Sequence, residues 1–482
     1  MQPKIKLLDD ELVERILSEA FELMMDPGVK VQAPVAAELL ASAGARVEDG
    51  IAHIPEDLAR KALSAVPREF FLYNRAGKPV VRYGGDAVHF DPGSSCVHVL
   101  DPETLEHKTS QAADLVRLAQ VAEMLPQYAA QSTAVVCNDV PKEIGDLYRL
   151  FLVLLYSDKP LITGAFTSRT TQMMMDLVAA DSGGREALKA KPRAVFDVCP
   201  SPPLNWSEFG AQNLVDLARA GMPVQMVSMP LAGATAPVTL AGAVVQHAAE
   251  CISGITIHQS AKPGAPIVWG GAPAIFDMRF GTTPMGAIET AMIDAAYAQV
   301  GKHLGLPTHT YLGASDSKLV DAQAGMESGI TAVVGALAGI NMISGAGMLD
   351  FLACQSAEKL VVDAEAIAMS LRLLQGIEAR TETLATAMFA QLGLHSNFLK
   401  LKETRSLFRQ EQYLPSPIID RGSLRAWQEA GSHDTFARAR ARTQELLAAY
   451  KRPQLSAETE RAMHDIIERE ARRIGLERLP GV

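Results

Sequence analysis

Residues 306–329 read LPTHTYLGASDSKLVDAQAGMESG. A short apolar run ends at Gly313, a polar cluster of Asp316, Lys318 and Asp321 follows, and a small-residue helix is expected after it. A strand that turns through a glycine straight into a helix is the unit of a parallel α/β fold, provided that it recurs. It does recur. The runs QYAAQSTAVV (127–136), KPLITGA (159–165), RAVFDVC (193–199), MPVQMVS (222–228), APIVWGG (265–271), LPTHTYLG (306–313) and INMISGAG (340–347) are each followed by a segment of helical length. These runs are apolar throughout rather than alternating, as strands buried on both faces must be.

Seven or eight such units of roughly 35 residues are what a (β/α)8 TIM barrel requires. A doubly wound open sheet is the alternative, but no G-x-G-x-x-G opens the first unit and no P-loop occurs. HSNFLKL (395–401) is the candidate for the eighth strand. Three regions are expected: an N-terminal α+β extension over 1–110, the barrel over 111–430, and charge-rich C-terminal helices over 431–482, which pack on the barrel or on a neighbouring subunit.

Composition sets the outer limits. The 482 residues are 48% hydrophobic and 21% charged with a net charge of −10, which suits a large globular core and argues against nucleic acid as a partner. The five cysteines are scattered without a C-x-x-C pair, and the N-terminus MQPKIKLLDDELVERI has no apolar leader, so a cytoplasmic protein with reduced thiols is expected. Residues 328–349 carry no charge and match a bilayer in length, but five glycines with Asn341, Ser344 and Thr331 fit a core helix followed by a buried strand better than a membrane span.

In a barrel the chemistry sits at the carboxyl ends of the strands. The junctions there are rich in Gly, Pro and small hydroxyls, with Trp206, Trp269, Phe276 and Tyr311 among them. Together these aromatics could line a cage for an organic cation, each ring contributing about 0.5 to 2 kcal/mol; singly, each fits a core cap equally well. No H-E-x-x-H, no G-x-S-x-G and no paired carboxylates demand acid–base work. His247, Cys251 and His258 share one helical face, but His258 lies roughly 10 Å or more along the axis, too far to share an ion. A buried helix face explains them better, and no metal site is expected.

On the junction residues and on LMMDPGVKVQ (23–32), the run 39–75, GASDSKLVDAQAGMES (313–328), AGINMISGAGMLDFLACQSAEKLVVDAE (338–365) and RQEQYLPSPIIDR (409–421) with Trp427, the chain resembles the trimethylamine methyltransferase (MttB) superfamily from about residue 15 to 430. Pyrrolysine is absent, so the resemblance is to the branch that demethylates quaternary amines such as glycine betaine. Glu403 stands where that family often has His. The resemblance implies transfer of a methyl group to the Co(I) of a cobalamin carried by a separate corrinoid protein, since no D-x-H-x-x-G occurs here. A quaternary ammonium leaves as a neutral tertiary amine, so the protein need only hold, dehydrate and align its substrate.

The expected roles follow. Trp206, Trp269, Phe276 and Tyr311 with Gly313 bind the cation, Asp316 stabilises it electrostatically, and Gly270, Gly271, Gly345 and Gly347 let the corrinoid approach the backbone. Lys318 and Asp321 brace the turn, because a Lys aimed at the ammonium would repel it. A homo-oligomer is expected. Two other readings stand beside this one: a zinc-assisted barrel methyltransferase or hydrolase using His247 and Cys251, and a non-catalytic quaternary-amine binding protein.

Overall fold

Every one of the seven apolar runs forms a strand, and an eighth closes them into a ring. The computed structural model describes residues 2–394, 397–476 and 478–480. In chain order the barrel strands are β1 (His89–Pro92), β2 (Gln131–Ser132), β3 (Leu161–Thr163), β4 (Ala194–Val198), β5 (Val224–Met226), β6 (Ile267–Gly271), β7 (Thr308–Thr310) and β8 (Met342–Ala346). Neighbours pair in parallel from β2 through β8, and β8 pairs with β1, with His89 opposite Met342. The ring closes where Ala129 N donates to Phe90 O at 2.9 Å and Cys96 N to Ala134 O at 3.0 Å.

The eighth strand is therefore HFDP, from within the first 110 residues, and not the 395–401 segment. His395 and Ser396 lie outside the described residues, and Phe398–Lys400 is a single 3-10 turn apart from the barrel sheet. HFDP escapes a pattern search because two of its four residues are polar and it is followed by no immediate helix.

The helices that follow the strands are α1 (Ala112–Met124), α2 (Gly145–Tyr156), α3 (Ser168–Asp181), α4 (Glu208–Ala220), α5 (Leu240–Ala261), α6 (Ile288–His303), α7 (Ala322–Leu337) and α8 (Ala357–Leu374). Several start on a hydroxyl or carboxylate cap, among them Ser207, Thr239, Asp321 and Ser356, which satisfies a free N–H of the first turn. Among the described residues α5 is the helix long and apolar enough to cross a membrane. It is buried nearly all round because the N-terminal helices Asp10–Met25, Pro34–Ala43 and Glu56–Ala65 cover its outer face, as an apolar-all-round helix requires. The uncharged 328–349 stretch is the end of α7 and strand β8.

The N-terminal region also supplies a small sheet of Val29–Val31, Ile51–His53 and Arg46–Glu48. Its fourth strand, Asn205–Trp206, comes from the β4–α4 loop, with Val31 opposite Trp206. The hairpin Phe70–Tyr73/Pro79–Tyr83 plugs the amino end of the barrel, where Tyr83 donates to Gln225 Oε1 at 2.8 Å. At the other end of the chain, helix Thr435–Ala449 packs on α8 and α1, and Ala457–Arg473 packs on α3 and α2. The C-terminal helices thus bury Ala439, Leu446, Met463 and Ile467 against their own barrel.

Candidate active site

Inside the barrel, Ile162, Val195, Val268 and Met342 pack on the amino-end hairpin, and the layer above them is polar where branched aliphatics usually continue. His309 on β7 lies 3.1 Å from Ser344 Oγ on β8, and that hydroxyl donates to Asp91 Oδ1 on β1 at 2.5 Å. Gln225 on β5 relays from Tyr83 to Asp197 on β4, donating to its Oδ1 at 2.8 Å. Burial raises the carboxyl of Asp91 well above its usual range. Burial likewise pushes Asp197 up to about 7, against the opposing pull of the Gln225 hydrogen bond and the Arg149 charge.

Above this layer, at the carboxyl ends of the strands, a cavity of about 560 Å³ opens. Its floor is Asp197 and Tyr311, its sides include Phe166, Phe209 and Met229, and Arg149 enters from α2. The Tyr311 hydroxyl stands 3.5 Å from Asp197 Oδ2, and burial with the neighbouring carboxylate charge holds the phenol far above its ordinary pKa. A groove of about 670 Å³ between Asp10–Met25 and α5 is larger, but it lies away from the strand ends, with Arg15, Glu19, Glu22 and Asp26 along it. Barrel chemistry belongs to the strand ends, so the mouth cavity is the candidate.

The sequence-derived site residues distribute unevenly over this geometry. Tyr311 lines the cavity; the tryptophans do not. Trp206 is fully buried, its strand drawn onto the N-terminal sheet and its Nε1 donating to Ser253 Oγ at 3.0 Å. Trp269 points outward from β6 into the helix layer, where Nε1 donates to Tyr297 O at 2.9 Å. Of the four aromatics expected to gather at the mouth, the two tryptophans thus stand in the packed core, and the rings that line the cavity are Phe166, Phe209 and Tyr311. Phe276 is half-buried beyond the cavity, its N–H bound to Ala232 O.

Asp316 does not face the cavity. Its carboxylate accepts Met285 N at 2.8 Å and Gly286 N at 3.0 Å, tying the β6–α6 loop to the β7–α7 loop. Burial raises it to about 6 despite those two donors. Asp321 caps α7 through Ala324 N at 3.0 Å, and Lys318 sits 3.9 Å above the Phe351 ring with Asp350 at 3.5 Å, so both brace this turn.

The glycines answer to packing. A Cβ on Gly270 would stand 2.7 Å from Met226 O, on Gly271 2.5 Å from Ser228 O, and on Gly345 2.5 Å from Leu312 O, all backbone atoms of adjacent strands or their ends. Gly347 and Gly313 adopt φ of +82° and +80°, the left-handed turn that ends a strand. None of the five lines the cavity.

His247 is committed to Gly270 O at 3.1 Å and stacks on Tyr297 at 4.0 Å, which accounts for it without a metal. Among the described residues no cluster of three or more His, Cys, Asp or Glu could hold a metal ion.

The sequence reading missed Phe166, Phe209 and Met229 of the cavity wall and its two charged residues, and the two charged ones carried a signal. Asp197 is a lone carboxylate in an apolar strand run, RAVFDVC, and Arg149 is a lone cation inside the apolar helix GDLYRLFLVLLY. A charge buried in a strongly apolar element needs a partner or a function.

Comparison with known proteins places this geometry. The family model described as trimethylamine methyltransferase (MTTB) matches residues 1–475. Trimethylamine methyltransferase MttB2 of Methanosarcina mazei is 33% identical over 477 residues, 97% of this chain and 95% of that protein. The glycine betaine methyltransferase of Desulfitobacterium hafniense is 29% identical over 478 residues, 98% of this chain and 99% of that protein. The crystal structure of the Methanosarcina barkeri monomethylamine methyltransferase MtmB shares the fold, with a TM-score of 0.54 at 11% identity over 92% of this chain and 89% of that one. A family model over nearly the whole chain and relatives of matching length agree: the protein belongs to the trimethylamine methyltransferase family.

Proposed function

We propose that the protein moves a methyl group from a quaternary amine, glycine betaine being the first to test, to the cobalt of a corrinoid carried by a separate protein in the cytoplasm. The observation that carries this reading is the mouth cavity itself: one partly buried carboxylate, Asp197, beneath walls of Phe166, Phe209, Met229 and Tyr311. A quaternary ammonium has no N–H to donate, so it is held by charge and by ring faces rather than by hydrogen bonds. Asp197 supplies the charge, and the cation in turn favours its ionised form.

The rim fits a large apolar disc. Loops following the strands expose Val97, Phe166, Met229, Val238, Met278 and Phe280, the last two each 76% exposed. Apolar side chains gathered round a cavity mouth mark a binding surface, and here they would meet a corrinoid and the protein that carries it. A bound corrinoid supplies a low-valent cobalt as methyl acceptor. The chain's own part is to fix the ammonium over Asp197 and Tyr311, exclude water with its apolar walls and leave one methyl facing the mouth; such positioning is worth several kcal/mol, about 7 to 11 at most. No proton need move while the C–N bond breaks, which suits a site whose one cavity carboxyl faces the cation.

Loss of methyl donors can be followed by mixing the protein, a cognate corrinoid protein in reduced cobalamin form and single quaternary amines, and reading cobalamin absorbance. Glycine betaine, carnitine, proline betaine and choline form the panel. Absence of transfer from every quaternary amine would sink this reading.

A further inference from the structure

Among the described residues Arg149 is a buried cation whose hydrogen bonds reach no carboxylate, although Asp146 and Asp197 lie near enough to feel its charge. Its side chain, 1% exposed, leaves α2 and crosses the ends of β2 and β3 to reach the cavity. Nη1 donates to Ser95 Oγ at 2.8 Å and to Thr133 O at 3.3 Å, and Nη2 to Gly164 O at 3.1 Å, all neutral oxygens. Nε has no partner among the described residues, and the guanidinium lies 4.5 Å from the Phe166 ring centroid on the cavity wall. The two nearby acids are engaged elsewhere. Asp146 accepts Leu147 N at 2.8 Å, Phe166 N at 2.6 Å and Thr170 Oγ1 at 2.5 Å, and Asp197 is held by Gln225 and Tyr311.

Burying an unpaired guanidinium is costly, and a group that is not needed as a charge is replaced by an apolar one of similar volume at little loss. A structural tie between strand ends would not need a permanent cation. The fork of a guanidinium matches a carboxylate, which it binds through two parallel N–H bonds.

We infer that Arg149 is a carboxylate subsite, so that the cavity takes a zwitterion: the quaternary ammonium over Asp197 and Tyr311, and an acid group on the same small molecule against Arg149. This rests on the quaternary-amine reading above and adds a rule to it. Donors with an acid group, the betaines, are accepted, and cations of the same bulk without one are refused. Refusal follows because a carboxylate-free cation would put a second positive charge beside Arg149, with Asp197 as the one carboxylate lining the cavity.

The test is direct binding by calorimetry to the full-length protein and to R149M and R149K, each first checked for folding by circular dichroism and thermal melting. The probes are glycine betaine, choline, and 3,3-dimethylbutanoate, the uncharged-carbon counterpart of glycine betaine. The wild type is expected to bind glycine betaine at least tenfold more tightly than choline. R149M should weaken glycine betaine by roughly 10- to 100-fold, the worth of a charge-assisted pair, while choline gains or stays level. R149K should fall between, and it carries the test if R149M does not fold.

Choline bound as tightly as glycine betaine, or equal losses for both in the Arg149 variants, would overturn the subsite and leave the quaternary-amine reading standing. Binding of 3,3-dimethylbutanoate lost in R149M, with the charge on nitrogen making no difference, would keep the subsite and remove the quaternary-amine reading instead. If none of the three probes binds the wild type, both fall.

Discussion

Tyr311 and Asp197 meet across the barrel mouth, the phenol 3.5 Å from Asp197 Oδ2, although 114 positions separate them in the chain. One comes from the end of β7 and the other from within β4, so the pair exists only because the barrel is closed. Asp197 is also the cavity group whose proton is easily moved, because burial lifts it to about 7.

That proton sets the first expectation. A cation binds the ionised carboxylate, so below pH 7 binding must release a proton and the apparent affinity for glycine betaine falls by about tenfold per pH unit, levelling off above pH 7. In D197N the affinity is expected to be flat across this range and about 10- to 100-fold weaker at pH 8. Titrations between pH 5.5 and 8.5 check it; an unchanged pH profile in D197N would remove Asp197 from the cation's neighbourhood.

The same shift has a stability side. A folded carboxyl raised above its unfolded value contributes stability that is present at low pH and lost as pH rises through the folded value. For Asp197 the loss falls between about 4 and 7. D197N, which cannot ionise, should therefore melt closer to wild type at pH 5 and gain relative to it by pH 8, a trend that denaturant curves at the two pH values can read.

Asp316 and Asp321 separate differently from what their place in one loop suggests. Asp316→Asn turns an N–H donor toward Met285 N or Gly286 N and should cost about 1–3 kcal/mol. Asp321→Asn keeps a competent cap on α7 and should cost less than about 1 kcal/mol. Chemical denaturation decides between them. Substrate affinity of the folded D316N fraction should stay within a fewfold of wild type, since Asp316 lies outside the cavity.

Gly345 tests whether the mouth glycines serve packing or ligand. A Cβ there would sit 2.5 Å from Leu312 O, so G345A should destabilise the barrel by about 1–3 kcal/mol, visible as a lower melting temperature without any corrinoid protein present. Normal stability combined with lost methyl transfer would return this glycine to the reaction.

The rim can be tested with charge. Met278 and Phe280 are mostly exposed, so a double change to Glu should leave folding and glycine betaine binding intact. The KM for the corrinoid protein should rise about tenfold, the equivalent of about 1.4 kcal/mol of docking. An unchanged KM places the docking surface elsewhere on the molecule.

The amino-acid sequence alone determined the (β/α)8 architecture and the end of the barrel whose loops surround the mouth cavity, because an apolar run, a glycine turn and an amphipathic helix are local features that repeat. It also determined Tyr311 as a mouth residue, since a strand end in a barrel must point there. Tertiary structure decided the rest. Which face of a strand an aromatic occupies depends on register and neighbours: Val31 draws Trp206 onto the N-terminal sheet, and Trp269 turns into the helix layer. The first strand, HFDP, carries buried Asp91 and only Phe90 as a large apolar residue, so its place is set by Met342 and Ala129, not by its own composition. Arg149 and Asp197 stand out in the chain as lone charges in apolar elements, yet their meaning comes from closure of the ring, which brings α2 and β4 to one cavity. Local periodicity specifies elements; the convergence of charges 48 positions apart is a property of the closed barrel.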